Sequence, residues 1–177
     1  MKFKKGKDDW HINDGILHDA VKAIHKSVKV DTKHDVPYVA GYDKDKHIVY
    51  IDDKQPLVAE FDGKKVDIEK YLVLHEVIEK SLINYSNLKY QHAHQIALRM
   101  EREAVENDGL DWEEYNNFFE KWIKVIGKEK IDNPPTTLDL TPYKDEHDEK
   151  LLKNLKEAHA CSRCSDMALL RELVNKK

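Results

Sequence analysis

The run Val66-Asp67-Ile68-Glu69-Lys70-Tyr71-Leu72-Val73-Leu74-His75-Glu76-Val77-Ile78-Glu79-Lys80-Ser81-Leu82-Ile83-Asn84-Tyr85 joins a capping residue, an apolar face and a His/Glu face in one helix-length segment, and the architecture follows from it. Asp67 suits an N-cap, because its carboxylate can accept the unpaired amide hydrogens of a first turn. The spacing predicts a helix from about Ile68 to Tyr85. Residues four apart share a helix face, so His75 and Glu79 point the same way while Glu76 sits about 100° around the axis. Leu72, Val73, Leu74, Ile78, Leu82 and Ile83 surround them, which requires much of this helix to be buried. Buried His and Glu must be paired, with each other or with a metal ion.

Upstream, Phe61 to Asp67 reads as a turn. Val36 to Tyr42 and His47 to Asp52 read as two β-rich runs joined by the polar turn Asp43-Lys44-Asp45-Lys46, a hairpin signal. Apolar residues from Ile16 to Val28 recur at helical spacing and predict a first helix from about Asp14 to Val30, with His18 and His25 on one side. Downstream, a helix is predicted from Lys89 or Tyr90 to Asn107, stopped by Gly109. Asp111 then caps a helix carrying Trp112, Tyr115, Phe118, Phe119 and Trp122, which closes at Gly127. Asn133-Pro134-Pro135-Thr136-Thr137 excludes a continuing helix. Asp145 to Lys177 reads as a charged helical tail. The expectation is an α+β fold, a small antiparallel hairpin sheet packed on a mainly helical domain over residues 1–132, with linker and tail over 133–177.

The chain has 177 residues, enough for one well-buried core, and 36% are charged. No apolar run approaches the ~18 residues of a bilayer-spanning helix. The basic start lacks an apolar segment of the secretory type, so a cytoplasmic location is the default expectation. A net charge of -4 argues against nucleic acid as a partner. Two cysteines, Cys161 and Cys164, form a C-x-x-C pair near His159 and His147. They could be a small structural zinc site, a redox pair or incidental tail residues.

His75 and Glu79 supply two ligands, and an adjacent unligated Glu76 is what a metal-activated water needs as a base. The following helix offers more. His94, Ala97, Glu101 and Ala104 fall on one stripe whose small residues permit close packing. If the two helices pack antiparallel across the short Tyr85 to Lys89 connection, either His94 or Glu101 completes the coordination sphere. The other would orient a histidine ring. His92 falls on the exposed side. Asp52 could approach the site, although a strand-terminal Asp is more often a turn residue.

His75-Glu76-Val77-Ile78-Glu79 resembles the H-E-x-x-H helix of zincin metallopeptidases, with Glu79 in place of the second histidine. The resemblance spans roughly Pro37 to Glu106. It implies zinc on His75 and Glu79, with Glu76 as the base. The extra carboxylate shifts the preference toward a harder ion such as manganese or iron. It also implies a peptide or protein substrate laid along an edge strand, for which His47 to Asp52 is the candidate. The chain is similar as well to small phage- or prophage-associated proteins that share the Val49-Tyr50-Ile51-Asp52 strand, the His75-Glu76 helix and a later Ala93-His94 helix. Two rivals stand beside the hydrolase: a two-metal carboxylate site for redox work, and a phage-associated binding or structural module in which a metal or a His/Glu network only stabilises the fold.

Overall fold

A computed structural model describes residues 14–160; Cys161, Cys164 and the apolar stripe from Met167 to Val174 lie outside the described residues. The first helix, α1 (Asp14–Ser27), ends three residues before the expected Val30. The reason is strand β1 (Lys29–His34), in which Val30 and Thr32 alternate with polar neighbours. Such alternation of β-branched residues favours a half-buried strand over one more helical turn. The expected hairpin forms from β2 (Ala40–Tyr42) and β3 (Ile48–Asp52), with Gly41 opposite Tyr50. β1 pairs parallel with β3, giving the order β1-β3-β2. The sheet is therefore mixed, a correction to the purely antiparallel expectation.

Phe61 to Asp67 is more than a turn. Strands β4 (Val58–Phe61) and β5 (Lys64–Asp67) form a second antiparallel pair across Asp62-Gly63. Both turn residues have positive φ, 49° and 74°, the geometry that fits a two-residue loop to the strand twist and that favours Gly at the second position. β5 leads directly into α2 (Glu69–Ser86), where the Asp67 carboxylate accepts the Glu69 amide hydrogen at 3.1 Å. α3 (Tyr90–Asn107) follows after three residues and ends where Gly109, at φ 77°, returns its N–H to the Glu106 carbonyl. α4 (Trp112–Ile126) starts on Asp111, whose side chain accepts the Glu114 amide hydrogen at 2.8 Å.

The main core packs Val49 and Ile51 of β3 against Leu72, Val73 and Leu74 of α2, with Val105 and Tyr115 closing it from α3 and α4. Ala93, Ala97 and Ala104 are all but fully buried on α3 and let its backbone approach α2 closely. Two histidines of α1 tie it to this layer: His25 meets Glu69 at 2.8 Å, and His18 lies 3.9 Å from Asp108.

Residues beyond the double proline fold back onto the sheet. α5 (Thr141–Asp145) and a further helix over 149–160 contribute Tyr143 and Leu155 to a second apolar cluster with Val36, Tyr50, Ile131 and Leu138. Asp43 anchors this return. It is 1% exposed and accepts from the amides of Asp45 and Lys46 and the hydroxyls of Tyr50 and Thr137. Asp52 is likewise structural, accepting from the Val36 and Lys54 amides, so it serves the turn and not the site. Among the described residues, no helix is long and apolar enough to cross a membrane.

Replacing Asp43 strands two amides and two hydroxyls. Asp43→Ala is expected to cost about 3 kcal/mol in urea unfolding and to expose residues 131–160 to limited proteolysis, whereas Asp43→Asn, which keeps an acceptor oxygen, costs less.

Candidate metal centre

α2 and α3 run antiparallel: Lys70 and Tyr71 meet Asp108, His75 meets Glu101, and Glu79 meets His94. That register places three donor atoms around one point. His75 Nε2 lies 3.1 Å from His94 Nδ1 and 3.5 Å from Glu79 Oε2, and His94 Nδ1 lies 2.9 Å from the same oxygen. Ligands bound at about 2.0–2.1 Å in a tetrahedron stand roughly 3.3 Å apart, and the three separations bracket that value. His75, Glu79 and His94 form a group that could hold a metal ion. The donor set of two imidazoles and a carboxylate suits zinc, with manganese or iron as harder alternatives.

Glu101, the fourth expected ligand, sits on the far side of His75. Its Oε2 is 2.8 Å from His75 Nδ1, and its other oxygen accepts the Tyr115 hydroxyl at 2.7 Å. With the Nδ1 side engaged by this carboxylate, Nε2, the nitrogen facing Glu79 and His94, is the one that could coordinate an ion. Of the two, the structure brings His94 into the group with His75 and Glu79 and places Glu101 on the other ring nitrogen of His75. His92 is exposed, as expected.

The charges of the cluster are strongly coupled. Burial disfavours the His75 imidazolium, but the hydrogen bonds to Glu101 and Glu79 outweigh it and hold its pKa well above 6.5. Burial likewise works against ionised Glu79, yet its contacts with His75 and His94 lower its pKa. Glu76 has no such contact. Its carboxyl is pushed up to about 8, first by burial and then by the negative charge of Glu79.

The group opens into a cleft of about 280 Å³. β2 and the two residues before it, Tyr38 and Val39, form one side, α4 forms an apolar wall with Trp112 and Phe119, and α5 closes the third side with Tyr143. The expected edge strand, His47 to Asp52, is β3 and lies between its two partners; the edge that lines the cleft is β2. The bonds Asp52 N–H to Val39 O and Asp43 N–H to Ile48 O set the phase of the ladder, so Ala40 and Tyr42 turn their peptide groups outward. The Tyr42 carbonyl accepts the Asp139 amide hydrogen, and an ion pair between the Asp139 carboxylate and Lys80 of α2 sits beside it. Just before β2, Tyr38 and Val39 both have positive φ, 59° and 85°, which strains the β-branched Val39. Tyr38 is held there by its hydroxyl on Asp148 and by stacking at 6.0 Å on Tyr143.

Three contributors went unread in the sequence as site residues. Tyr115 resembled a core aromatic, and only its position opposite Glu101 on the packed helix distinguishes it. Tyr90 opens α3 one turn before His94, a helical neighbour that spacing could have flagged. Tyr143 carries no local signal, because it arrives from beyond the double proline. Compared with protein-family profiles, characterised proteins and solved structures, the chain matches none.

Two measurements test this electrostatic arrangement. Tyr115→Phe leaves half of the buried Glu101 carboxylate unpaired and is expected to cost about 2 kcal/mol of stability by denaturant unfolding. Glu76 and His75 both have raised pKa values, so in metal-free protein their contributions are complete below about pH 4.5 and 6.5 respectively and fade as pH rises through the folded values. Glu79, with its lowered pKa, contributes in the opposite sense and loses its share as pH falls through its folded value. Glu76→Gln is therefore expected to raise the Tm of metal-free protein progressively between about pH 4.5 and 8, to level off above that, and to change it little at pH 4. A pH-independent difference would contradict a carboxyl held neutral by burial.

Proposed function

We propose that the protein is a metal-dependent hydrolase, most concretely a zincin-like zinc peptidase or amidase. The observation that carries this reading is the spacing of His75 Nε2, Glu79 Oε2 and His94 Nδ1 at tetrahedral edge lengths beside an unpaired Glu76, in a cleft open to solvent. A zinc ion held by these atoms would supply a Lewis acid for water and for a carbonyl oxygen. Glu76 takes the proton of the attacking water and returns it to the leaving amine, a task suited to a carboxyl whose pKa lies near neutrality. Glu101, steadied by Tyr115, holds the His75 ring and its tautomer. The outward peptide groups of Ala40 offer an extended peptide a place to pair along β2.

A second reading has its own support. Both ring nitrogens of His75, Glu79 Oε2 and His94 Nδ1 have protein partners as they stand, so the cluster also works as a His/Glu network stabilising a binding or structural module, including one of phage type.

Elemental analysis by inductively coupled plasma mass spectrometry separates the two. The hydrolase reading expects about one zinc per chain, lost in His75→Ala and Glu79→Ala and retained in Glu76→Gln, which instead abolishes hydrolysis. Glu101→Ala is expected to weaken zinc binding about 10- to 100-fold without eliminating it. Wild-type protein that takes up no metal after incubation with zinc, manganese or ferrous iron would overturn the hydrolase and leave the network. Two irons per chain would favour redox work.

A further inference from the structure

The segment that returns from the double proline does more at the cleft than supply a wall. Thr137 to Asp139 lies against the outer edge of β2 and the turn after it. Leu138 bridges antiparallel to Asp43, the Lys44 amide donates to the Thr137 carbonyl at 2.8 Å, and the Asp139 amide donates to the Tyr42 carbonyl at 2.8 Å. Pairing stops there, because the chain enters α5 at Thr141. Among the described residues, the outward peptide groups of Ala40 and the outward N–H of Tyr42 have no backbone partner. An extended peptide can therefore pair along β2 only as far as Tyr42; beyond it the edge is filled by the protein's own chain.

The chemistry of that stopping point is one-sided. Its acceptors are engaged: the Tyr42 carbonyl by the Asp139 amide, one Asp139 carboxylate oxygen by the Thr141 amide at 2.9 Å, and the other by Lys80. Its donors are left over. The Tyr42 N–H is one, and the Lys80 ammonium, with three hydrogens, has Asp139 as its hydrogen-bonded partner among the described residues. The Lys80 side chain is 11% exposed and lines the cleft together with Tyr42 and Asp139. A group that accepts hydrogen bonds, donates none and carries negative charge complements such an end. The terminal carboxylate of a peptide is that group, whereas a terminal ammonium only donates. Lys80 also lies one turn beyond Glu76 on α2, roughly 6 Å along the helix axis, the length of one to two residues of extended chain.

We infer that the cleft receives the free carboxyl terminus of a peptide, with Lys80 and the Tyr42 N–H binding the terminal carboxylate and residues 137–139 ending the groove behind it. The inference deepens the metal-dependent hydrolase reading and rests on it: the enzyme trims one or two residues from the carboxyl end and does not cut internally. Water adds its oxygen to the carbonyl carbon, its proton passes by way of Glu76 to the departing amine, and the C–N bond breaks. The products are a free amino acid or dipeptide and a peptide shortened to a new carboxylate.

The test compares acetyl-Ala-Leu-Phe as free acid and as carboxamide, apolar residues being chosen for the α4 wall. Binding is read by isothermal titration calorimetry on full-length Glu76→Gln protein, in which no turnover intervenes, both zinc-loaded and metal-free. The acid is expected to bind about tenfold more tightly than the amide. Adding Lys80→Met is expected to erase that preference, whereas Asp139→Asn, which breaks the same ion pair and keeps the ammonium, retains it. Equal affinities for acid and amide, binding of neither, or the same loss in Asp139→Asn as in Lys80→Met would overturn the assignment. Mass spectrometry of products from zinc-loaded wild type separates it from the broader reading. Release of Phe or Leu-Phe from the acid alone is expected. Cleavage of acid and amide alike would sink the carboxylate site and leave the hydrolase standing, and failure of the wild type to take up zinc would remove both.

Discussion

A histidine wedged between two carboxylates inside a helical hairpin is the constraint to which the rest of the structure answers. His75 is 8% exposed, Glu79 7% and Glu101 5%, so none of the three can exchange its partners for water. Unpaired, any one of them would carry a desolvation cost of several kcal/mol. The pairing requires α2 and α3 to approach more closely than larger side chains would allow. Ala93, Ala97 and Ala104 meet that requirement. It also requires a donor behind Glu101, and the cap of α4 on Asp111 sets the rotation that delivers Tyr115. The positions of three helices thus follow from one charge cluster.

The cleft is assembled from chemically different walls. The α4 side is aromatic and apolar, the β2 side is backbone with outward peptide groups, and the α5 side contributes phenol, carboxylate and an ion pair to Lys80. The strained Tyr38-Val39 turn joins the last two, because Tyr38 bonds to Asp148 while the Val39 carbonyl accepts from Asp52. Strain of this kind persists only where surrounding contacts over-determine the backbone, and both sides of this turn are tied.

Much of this was legible in the sequence where the signal is local. The spans of α2, α3 and α4 follow from helical periodicity and from the local signals of Asp67, Gly109 and Asp111, although the N-cap of α2 is Ile68 and not the expected Asp67. His75, Glu76, Glu79, His94 and Glu101 follow from spacing of four on one helix and a shared stripe on the next. The choice between His94 and Glu101 did not, since both lie on that stripe and only the direction of the His75 ring separates them. β1 was hidden because Val28 and Val30 prolong the apolar pattern of α1, while its true partner, β3, is set by a non-local parallel pairing. β4 and β5 were hidden behind polar residues such as Glu60, Lys64 and Lys65, although Asp62-Gly63 marked their turn. Nothing near Tyr143 announces that it reaches a cleft built from residues far upstream.

Chain connectivity gives the two halves of the site unequal permanence. The His75 to Glu101 contact spans 26 residues, whereas the Asp43 to Thr137 contact that moors the returning segment spans 94. Closure entropy rises with the logarithm of loop length, a difference of roughly 1 kcal/mol between these two. Partial opening therefore favours release of the α5 wall over parting of the helical hairpin. The half of the molecule that carries His75, Glu79 and His94 behaves as a fixture and the half that covers them as a detachable side.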